Sequence, residues 1–227
     1  MPGLLPLCIF AVTLTFFVGG YFFSSTFYFK KHDVKYSFTR MFPYEFNYPN
    51  AFKNNIYGNI AFIISIIGTI AFYICYLNTQ QVGNNVPSFV LVIVAFLISV
   101  TTCCLLFMPL QFLRMHIMMS TLTMTCAFAM PALACCIIYP QFKDAISSTK
   151  VTYLVAFIIG AVMSLAMLIF LLNPRATYKI YMDKSEDKDG NIVMTRPKFI
   201  PMAFNEWWAI FTFVLSPIPL LIISFIA

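Results

Sequence analysis

Residues 151–172 read VTYLVAFIIGAVMSLAMLIFLL, a run of 22 residues without one charged side chain. As an α-helix, about twenty such residues span the roughly 30 Å hydrocarbon core of a bilayer. Backbone polar groups find no water at that depth, so an apolar run of this length crosses the core as a helix that satisfies its own hydrogen bonds. The run therefore predicts a transmembrane helix.

The whole chain has the composition of a membrane protein. Apolar residues make up 61% of its 227 residues, charged residues make up only 10%, and the mean hydropathy is +0.86. Soluble domains carry about 25% charged residues, so this chain lacks the polar side chains needed to cover a water-facing surface. A soluble fold is therefore excluded.

Six apolar blocks predict six transmembrane helices in one domain covering residues 1–227. The approximate spans are 4–23, 59–76, 88–106, 116–139, 151–172 and 207–226. Two long polar loops, 27–57 and 173–206, follow odd-numbered spans and therefore lie on the same side of the membrane. We expect an all-α integral membrane protein, a six-helix transmembrane bundle with a small loop cap on one face. In the second long loop, DKSEDKDG (183–190) predicts the turn of a small hairpin between YKIYM and NIVMT.

The charged residues lie in loops or at helix ends rather than in the middle of the apolar blocks. Ion-coupled transporters need ionisable groups near the middle of the membrane, so this pattern argues against a proton- or sodium-coupled pump. A passive pore lined by backbone and hydroxyl groups remains an alternative. The net charge of +6 resides in the loops, where membrane lipids are the expected partners and nucleic acid is not.

Familiar enzyme and metal signatures are missing from the sequence. It contains no HExxH, GxSxG or Walker loop, and its two histidines are His32 and His116. The seven cysteines all lie inside apolar blocks, where we interpret them as small packing residues. We expect no metal site, no cofactor and no disulfide framework.

Helix five carries small residues at a four-residue spacing, namely Ala156, Gly160 and Ser164. Small residues placed in this way let two helices approach closely. We interpret them as packing within the chain, and the seam of a homodimer is the alternative. In helix six, Pro217 and Pro219 are expected to produce a kink because proline removes a backbone donor.

The candidate functional residues belong to the odd-numbered loops or to the helix ends beside them, so they meet at one face, here called the cap face. They are Arg40 and Glu45 in loop one, Arg114 and His116 at the start of helix four, and Glu206 and Trp207 at the start of helix six. In one interpretation the glutamates pair with the two arginines and pin the loops over the bundle. In a second the face binds a lipid headgroup, and in a third His116 is a general base oriented by a glutamate.

Four short motifs in this sequence resemble the DRAM family, the damage-regulated autophagy modulators. They are FPYE (42–45), GNIAF (58–62) entering helix two, RMHIMMSTLTMTCAF (114–128) opening helix four, and NEWW (205–208) opening helix six. Six spans with a long first loop and a short tail are shared as well. The wider superfamily includes proteins of GPI-anchor lipid remodelling and regulators of plasma-membrane phosphoinositides and lipid asymmetry.

The resemblance implies an endomembrane protein (of the ER, Golgi or lysosome) or a plasma-membrane protein. It also implies cytosolic termini and a cap face in the lumen or outside. The count of Lys and Arg indicates the opposite orientation. Twelve of the 14 lie in loops one, three and five, and only Lys143 and Lys150 lie in loops two and four, so the positive-inside rule places the cap face in the cytosol.

The leading hypothesis is a non-catalytic membrane protein in lipid handling or autophagy regulation. It would contact lipid headgroups or a protein partner through the cap face. The first alternative is a lipid-remodelling enzyme of the acyl-transfer type, which would use His116 with Glu45 or Glu206. The second is an accessory subunit of a larger membrane complex.

Overall fold

The computed structural model describes residues 3–47, 55–79, 86–108, 112–173, 183–186 and 192–225. Within this part of the chain, six helical segments are long and apolar enough to cross a membrane. They are α1 (Leu4–His32), α2 (Ile56–Thr79), α3 (Val86–Phe107), α4 (Leu113–Asp144), α5 (Ser147–Leu172) and a last span composed of α6 (Pro201–Leu215) and α7 (Ile218–Ile223). The protein is thus a polytopic membrane protein with the predicted six-helix architecture.

The helices extend past the apolar blocks that predict them. α1 continues to His32, so residues 27–32 are helical although they were assigned to the first loop. The last span begins at Pro201 rather than at Trp207, which shortens the predicted loop 173–206. Hydropathy marks only the part of a helix that suits hydrocarbon, whereas backbone hydrogen bonding continues until a cap ends it. Proline at the first helical position makes Pro201 a natural start.

The last span occupies the centre of the bundle. In its apolar window 72% of the residues are buried, compared with 28% in α1 and 22% in α5. α1 packs along α2, and the chain then continues in sequence through α3, α4 and α5, while α6 contacts α4 and α7 contacts α5. Trp207, Phe213 and Leu220 of this span have no exposed surface. α1 and α5 consequently present most of their surface outward.

The last span is interrupted between α6 and α7. Pro217 and Pro219 lack the N–H groups that would continue the helical hydrogen bonds, so the kink predicted from them is a full break. Between the two helices, the Ser216 hydroxyl lies 2.6 Å from the Tyr73 hydroxyl of α2. This contact gives the Ser216 hydroxyl a partner inside the bundle.

The small residues of α5 pack against helices of the same chain. Ala156 is fully buried, and the Ser164 hydroxyl donates to the Gly160 carbonyl at 3.0 Å. A Cβ atom added at Gly160 would lie 2.7 Å from Cys135 Sγ and 3.2 Å from the Pro131 carbonyl oxygen, both on α4. The α4–α5 contact therefore depends on the absence of a side chain at Gly160.

Two short strands, β1 (Asp183–Glu186) and β2 (Ile192–Thr195), form an antiparallel hairpin in the second long loop. The predicted turn 183–190 is wrong in its first half because residues 183–186 are paired with β2. The predicted first strand, 178–182, lies outside the described residues. A two-stranded hairpin does not need an apolar face to fix its pairing, so hydrophobic pattern is a weak guide to its register.

Candidate functional site: the cap face

The cap begins where α1 ends, at Asp33. The backbone of Asp33 is left-handed (φ 52°), and its N–H donates to the Phe29 carbonyl at 2.8 Å. This conformation terminates the helix and reverses the direction of the chain. Residues 41–47, farther along this loop, are all buried, and Phe42 has no exposed surface. The first loop is therefore packed into the end of the bundle.

Tyr36 and Trp207 join the first loop to the last span. Trp207 Nε1 donates to the Tyr36 hydroxyl at 2.9 Å and also lies 3.1 Å from the Met41 carbonyl oxygen. The Tyr36 hydroxyl in turn lies 2.8 Å from the Phe42 carbonyl oxygen. Burial, followed by the charge of Glu45, raises the pKa of Tyr36 well above its usual value, so the phenol keeps the proton that it donates.

Glu45 lies in a short 3-10 turn, Pro43–Phe46, and holds that turn closed. Its Oε1 accepts a hydrogen bond from the Phe42 N–H at 2.8 Å. The same carboxylate receives two hydrogen bonds from Arg196, which follows β2. Arg196 Nη1 lies 2.7 Å from Oε2 and Nη2 lies 2.6 Å from Oε1. Loop one and loop five are thus joined by a bidentate ion pair.

This ion pair is only partly shielded from water. The Arg196 side chain is 28% exposed and the Glu45 side chain is 10% exposed. Burial opposes the guanidinium charge, but the hydrogen bonds and the charge of Glu45 outweigh it and raise the pKa of Arg196. The arginine therefore remains charged, and the carboxylate of Glu45 neutralises its positive charge.

Two asparagines continue the polar contacts of the cap into the bundle. Asn47 Nδ2 donates to the Leu106 carbonyl at the end of α3 at 2.9 Å, and its Oδ1 accepts from Asn59 Nδ2 of α2 at 2.8 Å. All three residues are buried. Buried hydrogen bonds of this kind are costly to leave unmade, so they fix the position of the first loop relative to α2 and α3.

His116 and Glu206 form the second ionisable pair of the cap face. His116 Nε2 lies 2.9 Å from Glu206 Oε1, and neither side chain has exposed surface. His116 lies on α4 and Glu206 on α6, so the pair connects two spans. The imidazole is enclosed edge-on by the rings of Phe42 and Tyr44, with ring centroids 5.8 Å and 5.6 Å away.

The other ring nitrogen of His116 determines what this pair can do. Nδ1 lies 3.1 Å from the Met108 carbonyl oxygen, which can only accept, so Nδ1 carries a proton. Nε2 then either accepts from a protonated Glu206 or, in an imidazolium, donates to the carboxylate. In both states each ring nitrogen is already engaged. His116 therefore has no free lone pair with which to take a proton from a substrate.

The pairing predicted for the cap carboxylates differs from the observed one. Glu45 pairs with Arg196 and Glu206 with His116, rather than with Arg40 and Arg114. Arg114 is exposed and Arg40 is half-buried. Glu206 is also not in the first helical turn, because the helix begins at Pro201. The helix dipole acts mainly on the first turn, so it does not account for a carboxylate at Glu206, whereas the hydrogen bond to His116 does.

Three residues that position the cap, Arg196, Asn47 and Tyr36, were not singled out from the sequence. Arg196 is one of several cations in a polar loop, and nothing in its neighbourhood marks it as the partner of Glu45. Asn59 did carry a signal, since it is an amide near the start of an apolar span, where polar side chains usually have a partner. The motif GNIAF contains it, but the motif alone does not identify Asn47.

Outside these pairs the cap face is mainly cationic. Among the side chains of this face whose exposure the structure describes, Lys30, Lys31, Lys35, Arg114 and Lys198 are exposed cations and Asp33 is an exposed carboxylate. Glu45 and Glu206, by contrast, are buried and paired. The described part of the chain also holds no group of three His, Cys, Asp or Glu residues arranged to bind a metal ion. The face thus offers cations to an external partner and uses two of its carboxylates internally.

No protein-family model matches the chain, and neither a curated protein nor a solved structure matches it. The resemblance to the DRAM family accordingly rests on the four short motifs of the sequence. Three of these motifs contribute to the cap face, since Glu45, His116 and Glu206 each lie in one of them. The function must therefore be argued from the geometry of this face.

Proposed function

We propose that the protein is a non-catalytic polytopic protein of the endomembrane system that acts in lipid handling and holds anionic lipid headgroups against its cap face. The observation that carries this proposal is the distribution of charge on the face. Glu45 and Glu206 are buried in contacts with Arg196 and His116, whereas five cations are exposed among the side chains of this face that the structure describes. The DRAM resemblance connects such a role to autophagy regulation.

The electrostatic attraction between these cations and anionic lipids is large enough for selective binding. Each Lys or Arg near an anionic membrane surface contributes about 1 kcal/mol of attraction. Exposed cations such as Lys31, Lys35, Arg114 and Lys198 lie at helix ends or in loops close to the spans, which is where headgroups are found. The attraction is electrostatic, so it should weaken as salt shortens the Debye length.

Lipid remodelling by acyl transfer is the second candidate, because the cap face brings a histidine, His116, and a carboxylate, Glu206, next to each other. A general base needs a free lone pair within reach of the proton that it abstracts. His116 has both ring nitrogens engaged and no exposed surface. This route therefore requires a rearrangement of the cap before chemistry, and the non-catalytic role requires none.

A protein partner, a second copy of the chain or a larger complex is the third candidate. An accessory subunit should be unstable when it is expressed alone. The polar contacts of Glu45, Asn47 and His116 are completed within one chain, which supports a fold that stands without a partner.

The test uses the full-length protein in nanodiscs and measures the fraction of spin-labelled phosphatidylserine that it immobilises, relative to spin-labelled phosphatidylcholine. In the test variant Lys31, Lys35, Arg114 and Lys198 are changed to Gln. In the matched control Lys143 and Lys150, on loop four at the opposite face, are changed to Gln. We expect the preference for phosphatidylserine to fall in the test variant and to persist in the control. An equal preference in wild type and test variant would refute the proposal.

A further inference from the structure

The outward surface of the α1–α2 pair contains a continuous apolar depression, here called the α1–α2 groove. Its larger cavity has a volume of about 540 Å³ and is lined in part by Phe16, Gly19, Phe23 and Tyr57. A second cavity of about 320 Å³ shares Phe23 and Tyr57 with the first and extends along α1 to Lys30. Both volumes lie within the range of small-molecule binding sites, about 300–1,000 Å³.

The groove has the length of one leaflet. Gly19 and Lys30 are separated by about three turns of α1, which correspond to roughly 16 Å along the helix. This distance is about half of the 30 Å hydrocarbon thickness of a bilayer. Lys30 lies in the last turn of α1, at the level of the cap, so the groove runs from headgroup depth to the middle of the membrane.

The charge at the end of the groove indicates the kind of headgroup. Lys30 is exposed, and the described residues that line the two cavities include no carboxylate. Asn55, beside Lys30 in the lining, uses its amide NH₂ to donate to Ser24 Oγ at 2.7 Å. An ammonium group above an apolar depression complements a phosphate attached to a hydrocarbon chain.

The walls of the groove suit a flexible chain better than another helix. Helices that pack in membranes use small residues so that their backbones approach closely. Here Phe16, Phe23 and Tyr57 line the groove. The smallest of the described residues that line the larger cavity are Gly19 and Ala61. A Cβ atom added at Gly19 would meet no atom within 4 Å, so the space beside it is open.

We propose that the α1–α2 groove is a binding site for one anionic glycerophospholipid, with an acyl chain against Gly19 and the phosphate beside Lys30. This site goes beyond the proposed role of the cap face, because it requires Gly19 and Lys30 and none of Lys31, Lys35, Arg114 or Lys198. The four-cation variant of the cap face leaves the groove intact. The two proposals therefore fail independently.

The experiment maps the position of the lipid directly. The full-length protein is reconstituted in nanodiscs with phosphatidylserine that carries a photoreactive diazirine in its acyl chain, or with the matching phosphatidylcholine. Cross-linked peptides are identified by mass spectrometry. We expect cross-links at Phe16–Phe23 of α1 and near Tyr57 of α2, with a higher yield for phosphatidylserine.

Two variants separate the roles of the chain and the headgroup. Gly19→Leu places a branched side chain in the cavity, starting from a Cβ atom that meets no atom within 4 Å, so cross-links to the groove should be lost with both lipids. Lys30→Gln should lower the preference for phosphatidylserine about fivefold, as expected for the loss of one interfacial cation. The matched controls are Val18→Leu, at a neighbouring exposed position, and Lys143→Gln, at an exposed cation of loop four. Both positions lie outside the lining of these cavities. Both controls should behave like the wild type.

Three results would overturn this assignment. In the first, Gly19→Leu retains the wild-type pattern of cross-links, which would show that no chain enters the groove. In the second, the wild type gives no cross-links there and behaves as a dimer that Gly19→Leu dissociates, which would show that a helix of a second copy fills the groove. Equal yields for the two lipids, unchanged by Lys30→Gln, would refute the assignment of an anionic headgroup.

Discussion

Arg196 and Glu45 are 151 positions apart in the chain, and two hydrogen bonds of 2.7 Å and 2.6 Å join their side chains. The pair connects the loop after α1 to the loop before α6, and it lies at the water-facing edge of the cap. Because it is partly exposed, its strength is intermediate between that of a surface ion pair and that of a buried one. This position makes it a suitable pair for a double-mutant cycle.

We expect Arg196→Gln to lower the free energy of unfolding by about 1–3 kcal/mol, the usual cost of removing one partner from a charged hydrogen bond. Arg196→Lys should recover part of the loss, because an ammonium group keeps the charge but not the planar fork. Unfolding can be followed in mixed micelles with a thiol-reactive dye that reports the exposure of Cys126 and Cys135, which are buried and free. If Glu45→Gln and Arg196→Gln are additive in the double variant, the pair contributes no coupling energy.

Substitutions of Glu206 should separate the need for a hydrogen bond from the need for a charge. Glu206→Ala leaves His116 buried without its partner, at an expected cost of about 3–5 kcal/mol. Glu206→Gln should cost about 1 kcal/mol, because its amide can donate to Nε2 while Nδ1 donates to the Met108 carbonyl. The same dye assay measures both variants. Equal destabilisation by Ala and Gln would show that a negative charge at Glu206 is indispensable.

The close approach of α1 and α2 should make Gly58 far less tolerant of a side chain than Gly19. A Cβ atom at Gly58 would meet Ser24 Oγ and would lie 2.5 Å from Asn55 Oδ1, which disturbs the Asn55–Ser24 hydrogen bond. We expect Gly58→Ala to destabilise the protein by about 1–3 kcal/mol, the cost of overpacking. The matched control is Gly19→Ala, which should be neutral or stabilising by up to about 1 kcal/mol through helix propensity. The thermal unfolding midpoint in detergent gives the comparison, and a stable Gly58→Ala variant would contradict this packing.

The sidedness of the cap face can be measured with engineered glycosylation sites. Asp187→Asn together with Asp189→Ser creates an acceptor sequence between β1 and β2, and a second protein receives an acceptor inserted beside Gly83 in loop two. Only sites in the lumen of microsomes acquire sugar. The DRAM resemblance predicts sugar on the first protein, which would place the cap face in the lumen. Sugar only beside Gly83 would place the cations in the cytosol, as the Lys and Arg count predicts, and would contradict the orientation inherited from the resemblance.

The number of spans could be predicted from the sequence because hydrophobic length is a local property. Each block of about twenty apolar residues had to form its own helix, whatever its neighbours did. The ends of the helices could not be predicted in the same way. α1 continues through Phe27 and Lys30 because its backbone hydrogen bonds continue until Asp33, the C-cap residue, ends the helix. Hydropathy contains no information about the position of a C-cap residue.

The cap face could be predicted only in part. Topology alone placed Glu45, His116 and Glu206 at the same end of the bundle. Successive loops alternate between the two sides of the membrane, and all three residues lie in or beside odd-numbered loops. Which groups pair depends on how the loops fold over the helices, and Arg196 is brought to Glu45 only by that folding. Local patterns do not encode contacts between positions so far apart, so the observed partners could not be chosen in advance.

The closure of the first loop by residues near the last span has a consequence for biogenesis. The Ile200 N–H donates to the Thr39 carbonyl at 2.9 Å, and Trp207 donates to Tyr36. The first loop is synthesised early, so it cannot form these contacts until the ribosome has made residues 200–207. The central span of the bundle is also inserted after the five spans that surround it. A nonsense mutation at any codon before that for Pro201 would therefore remove both the closure of the cap and the core of the fold. Such an allele should yield a polypeptide that cellular quality control clears, with loss of the whole protein rather than of one activity.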